Sequence, residues 1–356
     1  MSIVRAADVA KQRLTIASRR LGTHDPVHTI GGLIDRSFEL PLGDPRYARN
    51  HLTPGTLPLE HSFSETASGS LRLYMQPLGP QASPLGRRQE TSREMRRLVN
   101  EHYGRPALHW FDQQSEPFRG STIHGNARFG AWFGAEYDED GLGKTKAYYE
   151  LPPGQIGELP PNLQHAAQVA MACLPGLSPV FTSLSCGRAQ GAQRVFFFHK
   201  GDLRLLDLEP LMNRLGIGSQ LPAVLAAVGV ILGGRFVLPE GSVLIGLRDT
   251  SRGIEMRLDT LVGGVPDPPE QLPQLIEMQL GRSPQSLRAY RHWKQAMTPD
   301  AYGSPGQISV VSVRANPQTP ARLSIYFRPA GYDRAPRGPR PGEIGDAYAL
   351  AGGARA

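Results

Sequence analysis

Alternating apolar and polar positions, interrupted by short helical stretches, run through most of this chain. From Leu57 to Phe63 and from Ser70 to Gln76 the alternation predicts two strands around a Ser/Gly turn. A helix over Ser92–Tyr103 follows, with Met95, Leu98, Val99 and His102 on one face and Ser92 as its cap. The unit then recurs. Ala127–Ala135 and Gly143–Glu150 flank the acidic turn Asp138-Glu139-Asp140-Gly141, ahead of a helix over Pro160–Cys173. Val180–Ser185 and Gln193–His199 form the next hairpin, with helices over Leu206–Leu215 and Leu221–Leu232. Ser242–Leu247 and Gly253–Leu258 form another, with helices over Gln271–Leu280 and Pro284–Ala296. Gln307–Val313 and Arg322–Phe327 make the last, joined through Asn316-Pro317. Residues 1–50 read as a basic N-terminal helix to Gly22 and an irregular lead-in with turns at Asp25-Pro26 and Gly43-Asp44-Pro45. Residues 333–356 form a Pro/Gly/Arg-rich tail that is expected to be disordered.

Hairpins joined in series by helices lack the parallel crossovers of a doubly wound sheet, and a sandwich would not need the helices. Closing about ten antiparallel strands into a barrel leaves no free edge and places the helices outside. The expected class is therefore α+β, with a single barrel over residues 51–332. A barrel that wide is not filled by its own side chains, so polar residues can point inward at a ligand.

The strand faces fit that expectation. Lys144, Lys146 and Tyr148 share one face of a strand. A solvated surface accounts for one such strand, but similar ones recur along the chain. The second strand of each hairpin offers Arg72; then Lys144, Lys146 and Tyr148; then Arg194, Phe196 and Phe198; then Glu255, Arg257 and Asp259; then Arg322, Ser324 and Tyr326. Arg72 and Tyr74 are not expected both to face inward. Together these residues would form a ring of cations and aromatic faces, fit to hold a diphosphate and to screen a carbocation.

Composition narrows the partner. The net charge of +7 and pI of about 9.6 favour an anion. The basic residues are dispersed, however, and no helix-turn-helix, zinc-finger or RNA-binding signature is present, so nucleic acid is not the expected partner. Cys173 and Cys186 are too few for a disulfide framework or a zinc site and point to a reducing cytoplasm. The N-terminal stretch lacks the apolar core of a signal peptide, and the longest apolar run, Leu221–Leu232, is too short to span a bilayer.

The order of hairpins, the K-A-Y strand, the closing R-L-S-I-Y-F strand, and L-P-L-E-H-S-F followed by L-R-L-Y-M-Q-P-L-G resemble the soluble aromatic prenyltransferases of the ABBA barrel type, in the dimethylallyltryptophan synthase-like branch, over roughly residues 50 to 330. The resemblance implies a ten-stranded barrel with outer helices. It implies transfer of an allylic group from dimethylallyl or geranyl diphosphate to an electron-rich aromatic acceptor, an indole or tryptophan derivative, in secondary metabolism. It implies as well that no cofactor is required and that Mg²⁺ is not essential. In keeping with this, no D-D-x-x-D motif is present. By similarity, Arg72, Lys144, Lys146, Tyr148, Arg194, Phe196, Arg257, Arg322 and Tyr326 would hold the diphosphate and screen the allyl cation. Glu60 matches the glutamate that receives the indole N–H and assists proton removal; His124 and Glu136 are the weaker alternatives.

Two departures stand out. Where the family's third repeat commonly reads cation-x-Lys-x-Tyr, this chain has Arg194-Val195-Phe196-Phe197-Phe198, with His199 or Lys200 as compensating cations. In the fourth repeat, Glu255, Arg257 and Asp259 stand where Gln or Lys and Tyr are usual. Three rival readings remain open at this point. They are a side chain of a ribosomal peptide as acceptor, a barrel that binds an isoprenoid or anion without turnover, and a nucleic-acid-binding protein. The oligomeric state, monomer or homodimer, is open as well.

Overall fold

The computed structural model describes residues 4–119, 127–151, 154–189 and 191–332. His124 and the tail from residue 333 lie outside them. Two helices, α1 (Ala6–Leu21) and α2 (Val27–Ser37), precede the first hairpin, β1 (Leu59–Ser64) and β2 (Leu71–Met75). Helix α3 (Pro84–Arg119) leads to β3 (Ala131–Asp138) and β4 (Gly141–Glu150), then α4 (Pro161–Cys173) to β5 (Leu177–Gly187) and β6 (Gly191–His199). A short ribbon of β7 (Leu203–Arg204) and β8 (Val237–Leu238) encloses α5 (Glu209–Arg214) and α6 (Leu221–Ile231). The hairpin β9 (Val243–Thr250) and β10 (Gly253–Leu261) is followed by α7 (Leu272–Leu280) and α8 (Pro284–Met297), and β11 (Gly306–Ala315) and β12 (Arg322–Pro329) complete the fold.

Ten strands close into one barrel in the order β1-β12-β11-β10-β9-β6-β5-β4-β3-β2, every neighbour antiparallel. Pairing of His61–Ser64 with Ser324–Phe327 joins the two ends of the chain's sheet. The outer faces carry the apolar set that the helices cover. Thr145, Ala147 and Tyr149 of β4 lie under α3, where Thr145 Oγ1 meets Met95 Sδ at 3.2 Å and the Tyr149 and Ser92 hydroxyls are 2.8 Å apart. On the far side Phe63 packs edge-on against Tyr290 and Trp293 of α8, with centroids 5.2 and 6.1 Å apart. Phe63→Leu keeps an apolar group there but loses the edge contacts, and should lower unfolding stability by about 1 kcal/mol in urea titration. None of the described helices is long and apolar enough to cross a membrane.

Several helical expectations need correction. Residues 27–37 are helical, with Ile30, Leu33 and Ile34 buried; Gly31 and Gly32, poor helix formers, hid the period in the sequence. Helix α3 begins eight residues before Ser92, with Ser83 Oγ accepting the Gly86 amide at 3.0 Å, while Ser92 Oγ bonds back to Arg88 O at 2.7 Å. His102 is exposed, and Tyr103 continues the buried stripe through a 3.2 Å bond to Leu142 O. A non-helical Gly104 (φ 80°) bends the helix, which then continues to Arg119. Pro210 opens α5, so the stretch before it forms a separate 3₁₀ turn, Leu205–Leu208.

Candidate active site

The inner faces of the strands divide the barrel interior into two adjoining spaces. Period-two alternation aims Lys144, Lys146 and Tyr148 of β4 inward, and the same rule brings in Arg194 and Phe196 of β6 and Arg257 of β10. Toward the turns that join β3 to β4 and β9 to β10, the space is lined by seven cations: Arg72, Lys144, Lys146, Arg194, Arg248, Arg257 and Arg314. Toward the other end, Trp132, Tyr148, Phe181, Phe196, Leu244, Leu261 and Tyr326 surround an aromatic chamber into which Glu60 projects. Tyr148, Phe196 and Arg257 line both spaces and so form their common wall.

Two carboxylates organise the cations. Glu136 Oε2 lies 3.2 Å from Arg72 Nε and its Oε1 is 3.7 Å from Lys144 Nζ. Burial would raise this carboxyl, but Arg72, Lys144 and Lys146 outweigh it and hold the group at about 2. That proton affinity is too low for a base working near neutral pH, which weighs against Glu136 as the alternative to Glu60. Glu255 pairs with Arg194, with Arg248 at 3.0 Å and with Arg314 at 3.5 Å. Lys146 forms no ion pair among the described residues, and its Nζ stands 5.8 Å from the Tyr74 ring centroid. Burial, then the charges of Arg72 and Lys144, pulls its ammonium well below the ordinary lysine range. Arg194 is likewise pulled down by burial and by Arg314, Arg248 and Arg257, with Glu255 opposing. Seven cations against three carboxylates, these two and the Asp259 that pairs with Arg257, leave a positive excess among the described residues in a partly dry space, which favours an anion with several negative oxygens.

The aromatic half is built of ring contacts. Tyr74 meets Tyr148 edge-on at 5.9 Å and Tyr326 at 5.5 Å, and its hydroxyl accepts from Arg72 Nη2 at 3.0 Å. Phe181 stacks on Phe196 at 4.5 Å, and the Arg257 guanidinium lies 5.0 Å from the Tyr326 ring centroid and 5.6 Å from that of Phe196. Arg257 Nε also donates to Asp259 Oδ1 at 2.5 Å. Glu60, 6% exposed, accepts from Ser309 Oγ at 2.6 Å. Burial pushes the Glu60 carboxyl up to about 7, against the Ser309 bond and the charges of Arg328 and Arg257.

Of the residues singled out in the sequence, Glu60, Arg72, Lys144, Lys146, Tyr148, Arg194, Phe196, Arg257 and Tyr326 come together around these two spaces. Arg322 does not; it sits at the barrel rim, 3.9 Å from Glu65 Oε1 and lining neither space. Arg72 and Tyr74 both face inward, because residues two apart on a strand share a face; the expectation that they diverge was wrong. His199 and Lys200 do not compensate for the missing lysine of the third repeat. His199 lies five residues beyond Arg194, about 16 Å along the strand, and bonds through Nδ1 to Gly201 O. The extra cations are Arg248 and Arg314, on the first strands of their hairpins. Alternation in Gly246-Leu247-Arg248 and Ser312-Val313-Arg314 was the signal for them. Ser309 carried no such signal, since a bulge between Ile308 and Val310 breaks the alternation there.

The structure is similar to prenyltransferase PriB in its ternary complex with L-tryptophan and dimethylallyl thiolodiphosphate, with TM-score 0.67 and 17% identity over 94% of this chain and 98% of that one. It is also similar to 6-dimethylallyltryptophan synthase from Micromonospora olivasterospora in complex with DMASPP and Trp, with TM-score 0.70 and 15% identity over 97% of this chain and 98% of that one. AnaPT from Neosartorya fischeri gives TM-score 0.63 and 13% identity over 91% of this chain and 93% of that one. No protein-family model matches the sequence, and no curated protein sequence matches it either. The fold is thus the closed ten-stranded barrel with outer helices that these prenyltransferase structures share. At these identities the likeness is one of fold.

Proposed function

We propose that this protein transfers an allylic group, dimethylallyl in the first instance, from its diphosphate to an aromatic carbon or nitrogen of an indole or tryptophan derivative. The observation that carries this reading is the shared wall: a cation-lined space and an aromatic chamber meet at Tyr148, Phe196 and Arg257, with one raised carboxyl, Glu60, in the aromatic half. The diphosphate would lie among Arg72, Lys146, Arg194 and Arg257, its allylic carbon toward the Tyr74, Tyr148 and Tyr326 rings. As the allylic C–O bond breaks, its electron pair leaves with the diphosphate, where the buried cations stabilise the growing charge. The ring faces stabilise the allyl cation and exclude water that would quench it. An electron pair of the acceptor ring forms the new bond, and the Glu60 carboxylate accepts the proton that the ring then loses.

Support for the substrate class comes from proteins of the same fold that are named for dimethylallyltryptophan or were crystallised with L-tryptophan and an allylic thiolodiphosphate. Because side chains supply the positive charge, no metal is required in this proposal. The test is incubation with dimethylallyl and geranyl diphosphate in EDTA, against tryptophan, simple indoles, phenols and Trp- or Tyr-containing peptides, read by mass spectrometry. A prenyl mass gain that survives EDTA is expected with an indole acceptor. Binding of inorganic diphosphate without turnover of any pair would replace the transferase with a binding barrel, and no binding would sink both readings.

A further inference from the structure

Two rows of paired residues cross the barrel wall in separate arcs, and both read aromatic, glycine, cation. On β2, β3 and β4 the register aligns Tyr74 with Gly134 and Gly134 with Lys146. On β6, β9 and β10 it aligns Phe196 with Gly246 and Gly246 with Arg257. Neither glycine has a positive φ, so the backbone could carry any residue at both positions. Space is what demands glycine. A Cβ on Gly134 would stand 2.8 Å from Tyr74 Cδ1 and 3.1 Å from its Cε1. A Cβ on Gly246 would stand 2.9 and 3.0 Å from Phe196 Cε1 and Cδ1, and 3.1 Å from Arg194 Cδ.

Each ring therefore sets one edge against the glycine of the strand beside it, with the cation on the strand beyond. Lys146 Nζ is 5.8 Å from the Tyr74 centroid, and the Arg257 guanidinium is 5.6 Å from that of Phe196. Neither ring can swing away freely. Tyr74 is held by the Arg72 bond at 3.0 Å and by Tyr148 and Tyr326, and Phe196 by its stack on Phe181 at 4.5 Å. A methyl group on the wall would push either ring inward, into the space between the cations and the aromatic chamber.

We propose that Gly134 and Gly246 are specificity-determining positions for the allylic chain of the donor, because they set how far the Tyr74 and Phe196 rings reach into its path. The proposal rests on the prenyl-transfer reading for the location of that chain. It concerns the hydrocarbon part of the donor; at Gly134 the diphosphate cations are reached only through the Tyr74 hydroxyl, and Arg72 keeps its pair with Glu136.

Calorimetric binding of two ligands, inorganic diphosphate and the unreactive dimethylallyl thiolodiphosphate, tests it without any need for turnover. Gly134→Ala should weaken the thiolodiphosphate by about tenfold while inorganic diphosphate stays within roughly twofold. Gly246→Ala should weaken both, since the Arg194 stem must also give, and Phe196→Leu in the same chain should bring the thiolodiphosphate back to the smaller loss that inorganic diphosphate shows, by removing the obstructed ring. If Gly134→Ala does not fold, the Gly246→Ala and Phe196→Leu pair decides alone. Equal loss of both ligands in Gly134→Ala, no loss of either, or a Phe196→Leu change that relieves nothing would each overturn the proposal. Wild-type protein that binds both ligands but transfers nothing would defeat the transferase reading while leaving these comparisons decisive. Wild-type protein that binds neither ligand would defeat both.

Discussion

Lys146→Ala is expected to lower kcat/KM for prenyl transfer by about 10²- to 10³-fold, the range seen when one preorganised charge donor is removed from a reacting oxyanion. Arg194 and Arg257 already answer to Glu255 and Asp259, and Arg72 to Glu136, whereas Lys146 has no carboxylate partner among the described residues. Its ammonium is held among Arg72 and Lys144 at a cost in stability that an incoming diphosphate would offset. The substitution therefore has two readouts of opposite sign. Without ligand, Lys146→Ala should melt no lower than wild type, because a desolvated like charge has been removed. With inorganic diphosphate, the thermal shift should shrink, because the differential interaction that produced it is gone. A merely structural lysine would show the reverse, a lower apo midpoint with an unchanged ligand shift.

Much of this site was legible in the sequence because a closed barrel turns strand alternation directly into an inside and an outside. Lys144, Lys146 and Tyr148 needed only the period of two, and Thr145, Ala147 and Tyr149 duly pack under α3. The same period pairs Arg72 with Tyr74, and it also offered Arg248 and Arg314, which an emphasis on the second strand of each hairpin passed over. What alternation could not give was register. Glu255 meets Arg194, Arg248 and Arg314 because β6, β9, β10 and β11 align at one level, a fact of pairing between strands far apart in the chain. The inward turn of Ser309 depends on a bulge, and the rim position of Arg322 on where β12 begins. The helices were less legible where glycine or serine obscured a real period, as at Gly31 and Gly32 of α2 and at Ser92 within α3. The apolar third repeat fits the fold: Phe196 is part of the wall between two chambers, and further charge comes from Arg248 on the adjacent β9 and Arg314 on β11.

Glu60→Gln should separate catalysis from stability in a way few other substitutions in this barrel can. Loss of the proton acceptor is expected to lower kcat by about 10²- to 10⁴-fold. The wild-type rate should rise with pH through an apparent value near 7, where burial has placed this carboxyl, and that limb should be absent from the residual rate of the variant. Stability moves the other way. With the folded value near 7 and the unfolded value near 4.5, the protonated carboxyl contributes stability that is fully present below 4.5 and is lost as pH rises through 7. The ionised wild-type group thus burdens the fold by roughly 3 kcal/mol at most at pH 8, and a neutral amide that keeps the Ser309 Oγ bond escapes that burden. Glu60→Gln is accordingly expected to raise the thermal midpoint relative to wild type at pH 8 and to leave it nearly level at pH 5. If the variant melts lower than wild type at both pH values and keeps the sloping rate limb, Glu60 is a structural carboxyl and the proton acceptor lies elsewhere. If it is more stable and slower, the barrel carries a buried acid whose cost to the fold is retained for the reaction.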